Sequence, residues 1–135
     1  MKTIKIIKSG KRKRAIAKAI LTKGSGKIKV NKKNYENLQI FDKLKIEEPL
    51  KITQNVLGKT DFDVLISVKG GGEKSQIEAA RLALTRAIVE FTNSKDLTET
   101  FLNYDRNLLI ADVRRKETYK PGDSKARKKR QSSKR

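Results

Sequence analysis

The sequence predicts an α+β domain followed by a basic arm, and three observations carry that prediction. Two stretches alternate in the strand period: Ala15, Ala17, Ala19 and Leu21 in one, Phe62, Val64, Ile66 and Val68 in the other. A glycine triplet, Gly70-Gly71-Gly72, closes the second stretch and opens a segment whose apolar residues recur at helical spacing. After Tyr119 the periodicity stops.

Taken in order, Lys11 to Leu21 reads as a strand, and its small alanine face admits a close neighbour. An extended Thr3–Lys8 can add to the same sheet. Thr22-Lys23-Gly24-Ser25-Gly26 reads as a turn and Lys27–Val30 as a short strand, which together make a hairpin with lysines on one face. Asn34 to Gly58 is less periodic. Its apolar residues suggest one or two short helices broken at Pro49, because a proline removes a helical hydrogen bond and crowds the preceding turn. Asp61–Lys69 is the clearest strand. Glu73–Phe91 is the longest helix, with Ile77, Ala80, Leu84, Ile88 and Phe91 in one stripe and Ala79, Ala83 and Ala87 beside it. Lys95–Tyr104 reads as a shorter helix and Leu108–Ala111 as a last strand. A single folded domain is expected over residues 1–118 and an extended tail over 119–135. From Ser124 onward there are seven basic residues and no acid, a composition that cannot bury enough surface to fold alone.

The net charge of +19 is concentrated at the two ends. No acidic residue precedes Glu36, in a stretch holding 13 Lys and Arg, and from Val113 onward 11 basic residues face only Glu117 and Asp123. Between Asn34 and Asp112 there are 10 basic and 13 acidic residues. A near-neutral body with two cationic ends implies a polyanionic partner. The absence of Cys and His excludes disulfides, thiol nucleophiles, most zinc sites and the usual proton shuttle. No cofactor, metal or enzymatic activity is expected. No run approaches the ~20 apolar residues of a membrane span, and no signal sequence opens the chain, so secretion is not expected.

The glycine triplet does not make a phosphate loop, because Gly72-Glu73-Lys74-Ser75 places a carboxylate where the motif requires Gly-Lys-Ser/Thr. Two compatible readings are left: a sharp strand-to-helix turn, and a place where helix-start amides meet an RNA backbone. The run Lys11-Arg12-Lys13-Arg14 reads as phosphate-contacting rather than as a merely solvated cluster, since it lies in the acid-free stretch before a strand. Gln76, Arg81 and Arg86 on the long helix read as solvated surface or as ligand contacts. Aromatics are few and mostly at core spacing, so recognition should rest on phosphates and shape; Tyr119, beside the tail, is the best stacking candidate.

Three segments together resemble the family of the ninth protein of the small ribosomal subunit, S nine. The first is Gly70-Gly71-Gly72-Glu73-Lys74-Ser75-Gln76-Ile77-Glu78-Ala79, continuing through Ala83, Thr85, Arg86, Ala87 and Ile88. The second is Gly10-Lys11-Arg12-Lys13-Arg14-Ala15-Ile16-Ala17, and the third is Lys125-Ala126-Arg127, Gln131 and Ser133-Lys134-Arg135, with Asp112, Arg114 and Glu117 on the approach to the tail. Tyr119-Lys120-Pro121-Gly122 departs from the family's usual aromatic run, and the short N-terminus is most similar to archaeal members. The resemblance implies a four-stranded mixed sheet with helices packed on one face, of the ribosomal protein S five second-domain type. It implies a structural role in the head of the small subunit, in the cytoplasm, with ribosomal RNA and neighbouring head proteins as partners. It also implies that the tail reaches peptidyl-site tRNA through Ser133, Lys134 and Arg135, with Arg130 and Gln131 as weaker contacts. The residues expected to touch ribosomal RNA are Lys11, Arg12, Lys13, Arg14, Gly70, Gly71, Gly72, Arg114, Arg115, Lys125, Arg127, Lys128, Lys129 and Arg130. The rival classes are a free-standing nucleic-acid compactor and an enzyme of the GHMP-kinase type, the latter needing a larger chain and a working phosphate loop.

Overall fold

The structure, a computed structural model, describes residues 4–115, 117 and 118. Strands β1 (Ile6–Arg12) and β2 (Ala15–Lys23) form an antiparallel hairpin, with Arg12 opposite Ala15 at its tip. The basic run therefore turns a corner. Lys13, at φ 53, supplies the left-handed residue of a two-residue turn where a single strand from Lys11 to Leu21 was expected. Alternation is preserved on both sides of so short a turn, and the period alone does not reveal it.

β3 (Ile28–Val30) pairs with β4 (Lys33–Asn34), and a 3-10 turn (Tyr35–Asn37) leads to α1 (Ile40–Leu57). β5 (Phe62–Lys69) lies between β2 and β3, antiparallel to the first and parallel to the second. The sheet is mixed, in the order β1-β2-β5-β3-β4. The expected β2–β3 hairpin does not form, because β5 takes the position between them. The Gly24–Gly26 segment is instead a crossover loop, held by Asp63, whose Oδ1 accepts hydrogen bonds from the amides of Ser25, Gly26 and Lys27 at 3.1, 3.1 and 2.9 Å. These amides, with that of Lys27 foremost, hold the Asp63 carboxyl below its ordinary value.

Two further expectations are corrected. α1 runs unbroken through Pro49, because Ile46, Pro49 and Thr53 are buried on the side that meets α2, and that packing offsets the roughly 3 kcal/mol a mid-helix proline costs. Leu108–Ala111 is not a strand. Leu108 is fully buried at the end of a 3-10 turn (Arg106–Leu108) capped by Asp105, so the segment packs by its side chain instead of pairing with the sheet. The sheet thus has five strands rather than four, counting the two-residue β4.

α2 (Glu73–Thr92) covers one face of the sheet, and α3 (Lys95–Tyr104), capped by Ser94, packs beside α1. Ala79, Ala80, Ala83 and Ala87 are fully buried opposite Ala15, Ala17 and Ala19. Small side chains on both sides bring helix and sheet backbones close. Gly10 is the closest point: a Cβ there would lie 2.5 Å from the Ala79 carbonyl oxygen and 2.7 Å from the Ala83 nitrogen. Phe62 and Phe91 close one end of this layer edge-to-face, their centroids 6.0 Å apart.

Candidate nucleic-acid interface

The β1–β2 turn, the end of β5 and the start of α2 meet at one pole. Gly70 (φ 80) and Gly71 (φ 66) take left-handed backbone and pass directly over the basic turn, so that a Cβ on Gly70 would lie 2.7 Å from the Arg14 carbonyl oxygen. The first two glycines are therefore required by the crossing of two backbones. Gly72 has ordinary backbone and open space around it. It caps α2 without a side-chain hydrogen bond, leaving the first amides of the helix directed outward.

An open cleft of about 880 Å³ lies here, walled by the basic turn, Ile16, Gly71, Gly72, Ser75, Arg114 and Arg115, with no carboxylate among the described residues of its lining. Glu73, whose charge would repel a phosphate, lines a separate depression beside Asn31 and Lys33. Among the described residues, Lys11, Lys13 and Arg14 have no acidic partner within ion-pair distance and are exposed.

Arg12 is employed differently from its neighbours. Its side chain is about 15% exposed; Nε donates to Glu78 Oε2 at 2.7 Å, and Nη1 lies 2.9 Å from Asp112 Oδ2, in ion contact but outside hydrogen-bond alignment. Lys45 Nζ reaches the other Glu78 oxygen at 3.4 Å. Partial burial pushes the Glu78 carboxyl up, but Arg12 and Lys45 together hold it below its ordinary value. Asp112 also takes two side-chain bonds to Oδ2 from Arg114, at 2.9 and 2.7 Å, and these with the Arg114 amide hold its carboxyl far below the usual carboxylate range. Arg12 is thus a staple between β1, α2 and the segment leading to the tail, and Arg114 arrives with its charge partly met.

Two further arginines, read from sequence as solvated surface or ligand contacts, do the same work. Arg81 pairs with Glu48 at 3.2 Å and Asp105 at 3.1 Å, and Arg86 donates to the carbonyls of Leu109 and Ser9 at 3.0 Å each. Together these arginines fix residues 105–115 along α2 and β1 and direct the chain toward the basic turn. The sequence offers no signal for this, since Arg86 and Ser9 are 77 positions apart. Lys125, Arg127, Lys128, Lys129, Arg130, Ser133, Lys134 and Arg135, and the stacking candidate Tyr119, lie outside the described residues. Of the aromatics, which the sequence places mostly at core spacing, Phe41 and Tyr104 are 79% and 58% exposed.

Fold and site together define a class: a small α+β protein with exposed cations gathered at one pole around a helix start. Residues 10–135 match the family described as ribosomal protein S9/S16, and the chain belongs to that family. It is 51% identical over 116 residues to the small ribosomal subunit protein uS9 of Methanococcus vannielii, covering 85% of each chain. It is 50% identical over 127 residues to the uS9 protein of Methanococcus maripaludis, covering 92% of this chain and 93% of the relative.

Proposed function

We propose that this chain is a non-enzymatic structural constituent of the small ribosomal subunit, acting in the cytoplasm within the ribosome, and that it holds ribosomal RNA at the pole just described. The observation that carries the RNA reading is the cleft whose described lining holds no carboxylate, where Lys11, Lys13 and Arg14 stand without acidic partners among the described residues beside the amino end of α2. Backbone amides and cations together suit phosphate oxygens, and the absence of aromatics among the described lining residues favours shape over base reading. Gly72 and Arg115 complete the contact, while Arg12 and Arg114 orient it. The family resemblance supports placement in the subunit head, an S five-type fold, and a tail over 119–135 that continues from Arg115 and meets RNA through Lys125, Arg127, Lys128, Lys129 and Arg130. Its last residues, Ser133, Lys134 and Arg135, would then reach peptidyl-site tRNA, Arg135 engaging a phosphate through its planar fork.

Binding of a small-subunit ribosomal RNA transcript, followed by fluorescence anisotropy against salt, tests the pole. Lys13→Ala and Arg14→Ala should each reduce the log–log salt slope by about 0.9, because one phosphate fewer is neutralised and its counterion stays on the RNA; unchanged slopes would remove these residues from the interface. The tail is tested separately. Deleting Gln131–Arg135 should leave incorporation into small subunits intact and weaken peptidyl-site tRNA binding, and equal tRNA affinity in purified truncated subunits would refute that role.

A further inference from the structure

α2 covers one face of the sheet, and no described helix covers the other. Strand register sets Ile7 beside Ile20, Ile20 beside Leu65 and Leu65 beside Lys29 in a row across four strands. Ile7 and Leu65 are 54% and 55% exposed, as is Ile16 (54%) farther along β2. At roughly 4.8 Å between strands, Ile7 and Leu65 are about 10 Å apart, close to the diameter of one helix. Lys18, Lys29 and Lys69 flank this stripe, all exposed and without acidic partners among the described residues. Asp63 is the lone carboxylate in the β2 and β5 rows of this face, and it is occupied by three backbone amides.

We propose that this bare face docks a neighbouring protein of the small subunit, through a segment that presents an aliphatic stripe between acidic side chains; the proposal rests on the ribosomal reading above. Charge selects among occupants. A second copy would set lysine against lysine, and this chain's own residues 119–135 carry eight basic residues against Asp123. RNA would satisfy the lysines but has no aliphatic group to cover Ile7, Ile20 and Leu65, and the face has no aromatic side chain on which a base could stack. An acidic amphipathic segment answers both features: its apolar side removes the row from water and its carboxylates meet the lysines.

The test places photoreactive benzoylphenylalanine at position 65 of the full chain and irradiates purified small subunits. A protein adduct whose crosslinked peptide carries Asp or Glu beside aliphatic residues is expected. An adduct to ribosomal RNA alone, a protein adduct lacking acidic residues, or no adduct overturns the proposal. Co-sedimentation of the labelled chain with the subunit is read first: its absence defeats the ribosomal reading and the docking face with it, whereas its presence with any of those adverse adduct results defeats the docking face alone. Replacing the exposed lysines, Lys18→Glu with Lys29→Glu, should lower the adduct yield at least about tenfold through like-charge repulsion without touching the core. An unchanged yield would overturn the acidic partner.

Discussion

Gly10→Ala is the most economical perturbation of this fold, since it adds a single methyl group. Gly10 sits buried in β1 under α2, and the added Cβ would stand 2.5 Å from the Ala79 carbonyl oxygen, 2.7 Å from the Ala83 nitrogen and 3.1 Å from the Leu82 Cβ. Two of these atoms are backbone in the middle of a 20-residue helix and cannot swing aside. The whole helix must withdraw from β1, loosening the packing of Ala79 and Ala83, both fully buried. Overpacking of well-packed cores costs about 1–3 kcal/mol, and with no side chain to yield we expect the upper end, about 3 kcal/mol. For a domain near 110 residues that lowers the melting temperature by roughly 12 °C, at about 4 °C per kcal/mol. Thermal unfolding of the full chain, followed by circular dichroism, reads it directly. The control is Gly72→Ala, where φ is −93 and nothing lies within 4 Å, so the change should stay within about 0.5 kcal/mol. A Gly10→Ala melting temperature within about 2 °C of the parent would refute the close-packing argument.

Other outcomes follow from the site. Arg12→Ala should lower stability by about 2 kcal/mol in chemical denaturation, because Glu78 and Asp112 lose their shared cation, yet leave the salt slope of RNA binding nearly unchanged; Lys13→Ala should do the reverse. Acid should unfold the protein progressively below about pH 4.5: the folded carboxyls of Glu78, Asp63 and Asp112 lie below their ordinary values of 4.5, 3.8 and 3.8, so their stabilisation is complete above those values and is lost as pH falls through the folded ones. A denaturant midpoint flat from pH 6 to 3 would contradict this. Arg86→Leu should release residues 105–115 and raise hydrogen exchange at Leu109 and Ile110 by more than about tenfold.

Where local pattern and final packing agree, the sequence was sufficient. β5 and α2 were readable nearly to the residue because a strand alternating Phe62, Val64, Ile66, Val68 and a helix striped by Ile77, Ala80, Leu84, Ile88 each bury the face their period marks. α3 was readable for the same reason, with Leu97 and Phe101 one turn apart. Pro49 misled because its local cost is legible and the compensating burial against α2 is not. Leu108–Ala111 misled because an apolar run does not say whether it enters the core by pairing its backbone or by inserting one side chain. At the candidate site, the exposure of Lys11, Lys13 and Arg14 follows from their place in an acid-free run at a strand turn. Arg12, Arg81 and Arg86 could not, because their partners lie far away in sequence.

By itself, the sequence determined that this is a small α+β protein with a cationic surplus and without cysteine or histidine chemistry, because composition and local period need no knowledge of distant neighbours; its glycine-helix and basic-run motifs mark the S9 family. Tertiary structure alone decided that β5 separates β2 from β3 and that the basic run is a turn crossed by Gly70 and Gly71. It also decided that, of the basic run, Arg12 is held by carboxylates while Lys11, Lys13 and Arg14 have no acidic partner among the described residues. Those outcomes depend on which backbones approach each other, a matter of loop closure and packing between residues many positions apart, and no local pattern encodes it.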